Sequence, residues 1–169
     1  MLVWRFAAPL RAVSSAALGG GIGPRHWVIN ATVYDSYLRD DPDAHLAELA
    51  GALGLDGAGV GLLTAVDVTR RVTTADDPSA GLGTINVVAF VPVRLADAAL
   101  VNAIATVAEA KAQALIGLDV PATGTASDAT CVLCPTGGPA EPYGGPRSTW
   151  GARLARAVHA AVRAGATRQ

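Results

Sequence analysis

The chain has 169 residues, of which 51% are hydrophobic and 16% charged, and its formal net charge at pH 7 is −1. That length suits one domain, residues 1–169, with a core of ordinary size. The near-neutral balance argues against a nucleic-acid protein, which needs a clustered basic face to neutralise phosphates. No uninterrupted apolar run approaches the ~18 residues of a membrane span, so a soluble protein with no membrane partner is expected.

The apolar start, Met1 to Leu18, lacks a basic leading region and is interrupted by Arg11, which does not fit a secretory leader. Two cysteines do not make a disulfide framework. A cytoplasmic protein is the expectation.

In chain order, Leu2 to Phe6 and Leu10 to Leu18 read as two short strands around Pro9. Gly19 to Pro24 reads as a loop. It is not a phosphate loop, because no Gly-Lys-Ser/Thr follows. His26 to Val33 reads as a strand with Asn30 inside it, and a buried amide there must find hydrogen-bond partners. Asp41-Pro42 opens a helix, with aspartate as N-cap and proline at the first helical position. Leu46, Leu49, Ala50 and Leu53 form its apolar stripe, and Gly54 closes it.

Val60 to Val66 is a continuous apolar run and reads as a buried strand. Thr69 to Thr74 reads as a further short strand, Asp76 to Ser79 as a turn, and Leu82 to Val93 as the next strand. In that last strand Thr84, Asn86 and Val88 share one face, and Ile85, Val87 and Ala89 the other.

A long helix, Ala96 to Leu118, follows. Asn102, Thr106, Glu109 and Gln113 fall on one polar row, and most other positions are apolar, so a largely buried helix is expected. At ~100° per residue, Glu109 and Lys111 point about 200° apart and cannot pair with each other. Each charge therefore needs its own explanation: a wetted helix edge, a snorkelling side chain, or a site group with a perturbed pKa.

Pro121 to Asp128 is a loop of small residues, in which Thr123, Thr125 and Ser127 supply hydroxyls and Gly124 permits close backbone approach. The strand Ala129 to Cys134 follows. Its Cys131 and Cys134 have odd spacing, which on a strand sends the sulfurs to opposite faces. His26, His45 and His159 are scattered, so no metal set emerges. After a Gly/Pro loop, Ser148 caps a last helix with Trp150, Leu154, Val158 and Ala161 facing inward. The element order predicts an α+β fold, one mixed sheet with about three helices packed on it.

Taken together and in order, Gly83-Thr84-Ile85-Asn86, Thr106 with Glu109-Ala110-Lys111, and Ala122 to Thr125 followed by Asp128 resemble the adenosylcobinamide amidohydrolases. The similarity extends to Val28-Ile29-Asn30, Gly61 to Ala65, and Tyr143-Gly144-Gly145 with Trp150-Gly151. The resemblance implies hydrolysis of the amide joining the aminopropanol arm to the corrinoid, giving adenosylcobyric acid and 1-aminopropan-2-ol in corrinoid salvage. It implies no cofactor, the cobalt belonging to the substrate, and a small-molecule corrinoid as partner, with room for a homo-oligomer. Between Thr74 and Gly83 the family pattern has a further strand and turn, where this chain has only Ala75 to Leu82.

An unactivated amide needs an attacking group, an oxyanion stabiliser and a proton for the leaving amine. Glu109 or Asp128 is the candidate base, acting on water or on a hydroxyl of Thr123, Thr125 or Ser127, and Lys111 the candidate acid or carbonyl polariser. Asn30, Asn86 and Gly124 are candidates for the oxyanion, and Thr84, Thr106 and Thr123 for substrate contacts. Two other readings stand beside this one. The first is a non-catalytic corrinoid binder or inactive relative that lacks the strand before Gly83. The second is an amidase with an unrelated substrate.

Overall fold

The computed structural model describes residues 1–34, 37–64 and 84–167. Five strands form one mixed sheet in the order β3-β2-β1-β5-β4, and three helices pack against it, matching the α+β expectation. The central strand is β1 (Leu2–Ser14), which runs antiparallel to β2 (Gly21–Thr32) on one side and to β5 (Thr130–Cys134) on the other. Parallel pairs complete the two wings: β2 with β3 (Gly59–Thr64), and β5 with β4 (Val87–Phe90).

Two expectations at the start of the chain are corrected. The two short strands around Pro9 are one strand, whose pairing to β2 shifts register between Arg5 and Leu10. Pro9 has no N–H to give a ladder, and a register shift accommodates it without ending the strand. Likewise Gly21 to Pro24 do not loop. They open β2, held by Arg11 to Ser14 of β1, because a ready-made ladder outweighs the weak strand propensity of glycine.

Of the expected strand Leu82 to Val93, Leu82 lies outside the described residues, and within 84–93 the strand is β4. Thr84 to Asn86 lie outside it: the Ile85 N–H is taken by the Asp128 carboxylate, and the Asn86 side-chain oxygen takes the Ala129 N–H. Gly83, Thr69 to Thr74, Asp76 to Ser79 and the end of the run to Val66 lie outside the described residues.

Strand alternation sorts the core into layers. Ala12, Val28, Val60, Leu62, Cys131 and Leu133 form one buried cluster, with Val88 packed on it. These residues come from β3 and β4, the two edges, as well as from the strands between. The sheet therefore curls until its inner face packs on itself. The outer face carries two covers. Trp27, Ile29 and Ala31 pack under α1 (Pro42–Ala52) through Leu46 and Ala50. Val13, Val132 and Cys134 pack under α2 (Asp97–Ile116) and α3 (Thr149–Thr167). Cys131 and Cys134 are thus on opposite faces, both free and buried.

The helices also refine the expectations. Pro42 stands in the first turn of α1, but Asp41 makes no side-chain capping bond; its carboxylate is taken by Arg39, which also holds Glu48. In α2 the buried stripe runs through Ala99, Leu100, Ala103, Thr106, Val107, Ala110, Ala114 and Leu115. Val101, Ala105, Ala108, Glu109 and Ile116 face solvent, so the helix is one-sided where a largely buried one was expected. Alanines carry little apolar area, which makes their exposure cheap. By length and hydropathy α2 is the one helix among the described residues that could cross a membrane, yet its apolar stripe is packed against α3 and the sheet. Ser148 does cap α3, accepting a bond from Gly151 N–H at 3.1 Å. Ala161 is exposed, and the inward stripe of α3 continues from Val158 to Val162 instead.

Candidate active site

The loop between α2 and β5 returns the chain to the C-terminal half of α2, and there Lys111 meets Asp128. Their side chains are only 15% and 11% exposed, and they form an ion pair. The other carboxylate oxygen of Asp128 accepts from the Ile85 backbone N–H at 2.8 Å and from the Thr125 hydroxyl at 2.7 Å. Burial alone would raise this carboxyl's pKa. The Lys111 ammonium, the Ile85 N–H and the Thr125 hydroxyl outweigh it and hold Asp128 below the ordinary carboxylate range. Asp128 is therefore a fixed anion at neutral pH.

Gly124 makes the close approach of loop and helix end feasible. A Cβ there would lie 2.3 Å from an Asp128 carboxylate oxygen and 2.6 Å from Lys111 Nζ, and its φ of +154° is one that side chains rarely adopt. Around this centre the hydroxyls form a chain. Ser127 Oγ is 2.7 Å from Thr84 Oγ1 and 3.3 Å from Thr125 Oγ1.

Asn86 joins this cluster to the far edge of the sheet. Its Oδ1 accepts from Ala129 N–H at 3.1 Å, and its Nδ2 donates to the Leu63 carbonyl at 2.9 Å and to Asn30 Oδ1 at 3.0 Å. The amide that the sequence placed inside β2 has found its partner across the curl of the sheet.

Of the residues the sequence singled out, the structure brings together Lys111, Asp128, Thr125, Gly124 and Thr84, with Asn86 and Asn30 adjoining through Ala129. It leaves three apart. Glu109 is exposed, with no bond among the described residues, as its ~200° offset from Lys111 requires. Thr106 is buried and donates to the Gly144 carbonyl at 2.8 Å, fastening the Tyr143 to Gly145 loop against α2. The backbone there lies so close that a Cβ on Gly144 would sit 2.0 Å from the Ala99 carbonyl oxygen. Thr123 is exposed.

The sequence did not single out the backbone groups of Ile85, Leu63 and Ala129, since main-chain partners carry no side-chain signal. A cavity of about 540 Å³ under α1, lined by Leu18, Arg25, Trp27, Ala50 and Leu55 among others, holds none of the candidate residues. Among the described residues no three His, Cys, Asp or Glu side chains converge on a metal-sized site.

A family model described as adenosylcobinamide amidohydrolase matches the chain over residues 1–81 and 74–169. The two matched segments overlap at residues 74–81. The adenosylcobinamide amidohydrolase of Methanosarcina mazei is 30% identical over 175 residues, spanning 89% of this chain and 88% of that protein. Its namesake from Halobacterium salinarum is 44% identical over 92 residues, 54% of this chain and 39% of that protein. No solved structure matches the chain.

Proposed function

The chain belongs to the adenosylcobinamide amidohydrolase family, and from that membership we propose that it is an enzyme hydrolysing the amide of adenosylcobinamide. The products are adenosylcobyric acid and 1-aminopropan-2-ol, and the reaction returns incomplete corrinoids to cobalamin synthesis in the cytoplasm. The corrinoid, with its cobalt, is the substrate, and the chemistry is assigned to protein side chains with no added cofactor or metal.

The observation that carries the residue roles is the unbroken chain Lys111–Asp128–Thr125. Thr125 donates its hydroxyl hydrogen to the Asp128 carboxylate, which turns an oxygen lone pair outward toward a bound amide. As Oγ bonds to the carbonyl carbon, its proton passes to Asp128. The C–N bond then breaks as Lys111 gives a proton to the leaving nitrogen. Lys111 recovers that proton from Asp128 through the contact they already share. Water hydrolyses the resulting ester and releases the corrinoid acid. An anion held this firmly is a weak base, and its contribution lies in orientation as much as in proton affinity. In this scheme Glu109, on the solvent side of α2, takes no step.

Thr125→Val, Lys111→Ala and Asp128→Asn, assayed for released 1-aminopropan-2-ol, test these roles. Each is expected to lose at least ~100-fold in kcat. Rates near wild type in all three would remove the assignment.

A further inference from the structure

The hydrogen bonds of Asn86 leave no freedom in how its amide is oriented. The Leu63 carbonyl can only accept and the Ala129 N–H can only donate, so Asn86 must point Nδ2 at Leu63 and Oδ1 at Ala129. The second Nδ2 hydrogen then goes to Asn30, which must answer with its oxygen. It follows that the Asn30 NH₂ group is turned away from Asn86. It has no partner among the described residues, and among those residues no side-chain nitrogen or oxygen is sealed in the interior without one, so this half-buried donor is open to whatever enters.

Its place is also defined. Asn30 lies two residues from Val28 and Asn86 two residues before Val88, so both share the inner face of the curled sheet. Asn86 ties the pair to the proposed catalytic carboxylate: the N–H of its neighbour Ile85 bonds Asp128, and Asn86 Oδ1 accepts from Ala129, the residue that follows Asp128.

We infer that the Asn30 NH₂ is the donor that receives the carbonyl oxygen of the substrate amide and the negative charge it develops, and that Asn86 is the positioning residue that keeps this NH₂ facing outward. The assignment rests on the proposed amide hydrolysis and adds the group that distinguishes transition state from ground state. A donor whose orientation is set in advance costs nothing to reorient during reaction, which is where such groups gain their effect.

Asn30→Asp tests it, because the variant keeps an oxygen for Asn86 and replaces only the NH₂. With adenosylcobinamide as substrate, kcat is expected to fall by about 100-fold or more, with KM within about threefold and an unchanged thermal midpoint. Asn86→Asp, which presents oxygen to Asn30 and so turns the Asn30 NH₂ inward, is expected to lower kcat similarly with Asn30 intact. An independent reading comes from the side-chain amide resonances of ¹⁵N-labelled wild-type protein on addition of N-methylacetamide. Those of Asn30 should shift, and those of Asn86 should stay fixed and slow to exchange. An Asn30→Asp enzyme within threefold of wild type, or Asn30 resonances that do not move, would overturn the inference. Wild-type protein that leaves adenosylcobinamide intact but shows the Asn30 shift would sink the corrinoid reading and sustain this one.

Discussion

Lys111 and Asp128 are bound to each other across the junction of α2 with the loop entering β5, each about seven-eighths buried. Each charge has little water to turn to, so the two depend on each other. Removing one partner strands the other, at a cost of about 3 kcal/mol for such burial. Lys111→Met and Asp128→Asn should each destabilise, and the double variant should lose less than the sum, with a coupling of about 1–3 kcal/mol. Denaturant titration of the four proteins measures it.

The depressed pKa of Asp128 fixes a pH dependence. A carboxyl that is more acidic folded than unfolded contributes stability in full above its unfolded pKa of about 3.9, and loses it as pH falls through the lower folded value. The wild-type protein should therefore lose stability below about pH 4. Asp128→Asn should show a shallower acid limb, read from thermal midpoints across pH 2.5 to 7.

Gly124→Ala should act on the same pair from the backbone side. The added methyl has no room beside the carboxylate and ammonium as they stand, so the two side chains must give way and their contact is displaced. A loss of about 2 kcal/mol in stability and at least ~100-fold in kcat is expected, the two being read by denaturation and by aminopropanol release.

Thr106 makes a contrasting prediction. Its buried hydroxyl serves the Gly144 carbonyl, so Thr106→Val leaves that carbonyl unanswered and should cost about 1–3 kcal/mol. Hydrogen exchange at Gly144 and Gly145 should accelerate before the rest of the domain does.

How far the site could be read from the sequence follows from where its partners lie. Asp128, Thr125 and Lys111 were legible as polar residues that an apolar stretch did not explain. The separation of Glu109 from Lys111 followed from helical spacing alone, as did the opposed cysteines from strand alternation. Asn30 announced itself as an amide inside a strand. Its partner, 56 residues away, could not be found, because the curl that joins the two sheet edges is set by tertiary packing of small side chains. Thr106 shared a polar row with Glu109, and only the approach of the Gly144 backbone showed that its hydroxyl faces inward. β1 was divided in two because proline suggests an end, whereas a register shift absorbs it.

The most direct test is incubation of the purified protein with adenosylcobinamide, followed by mass analysis of the corrinoid and of the released amine. Adenosylcobyric acid with an equal amount of 1-aminopropan-2-ol, formed by wild type and lost in Asp128→Asn, is the result predicted. Adenosylcobinamide recovered intact, even with a spectral change that signals binding, would contradict it.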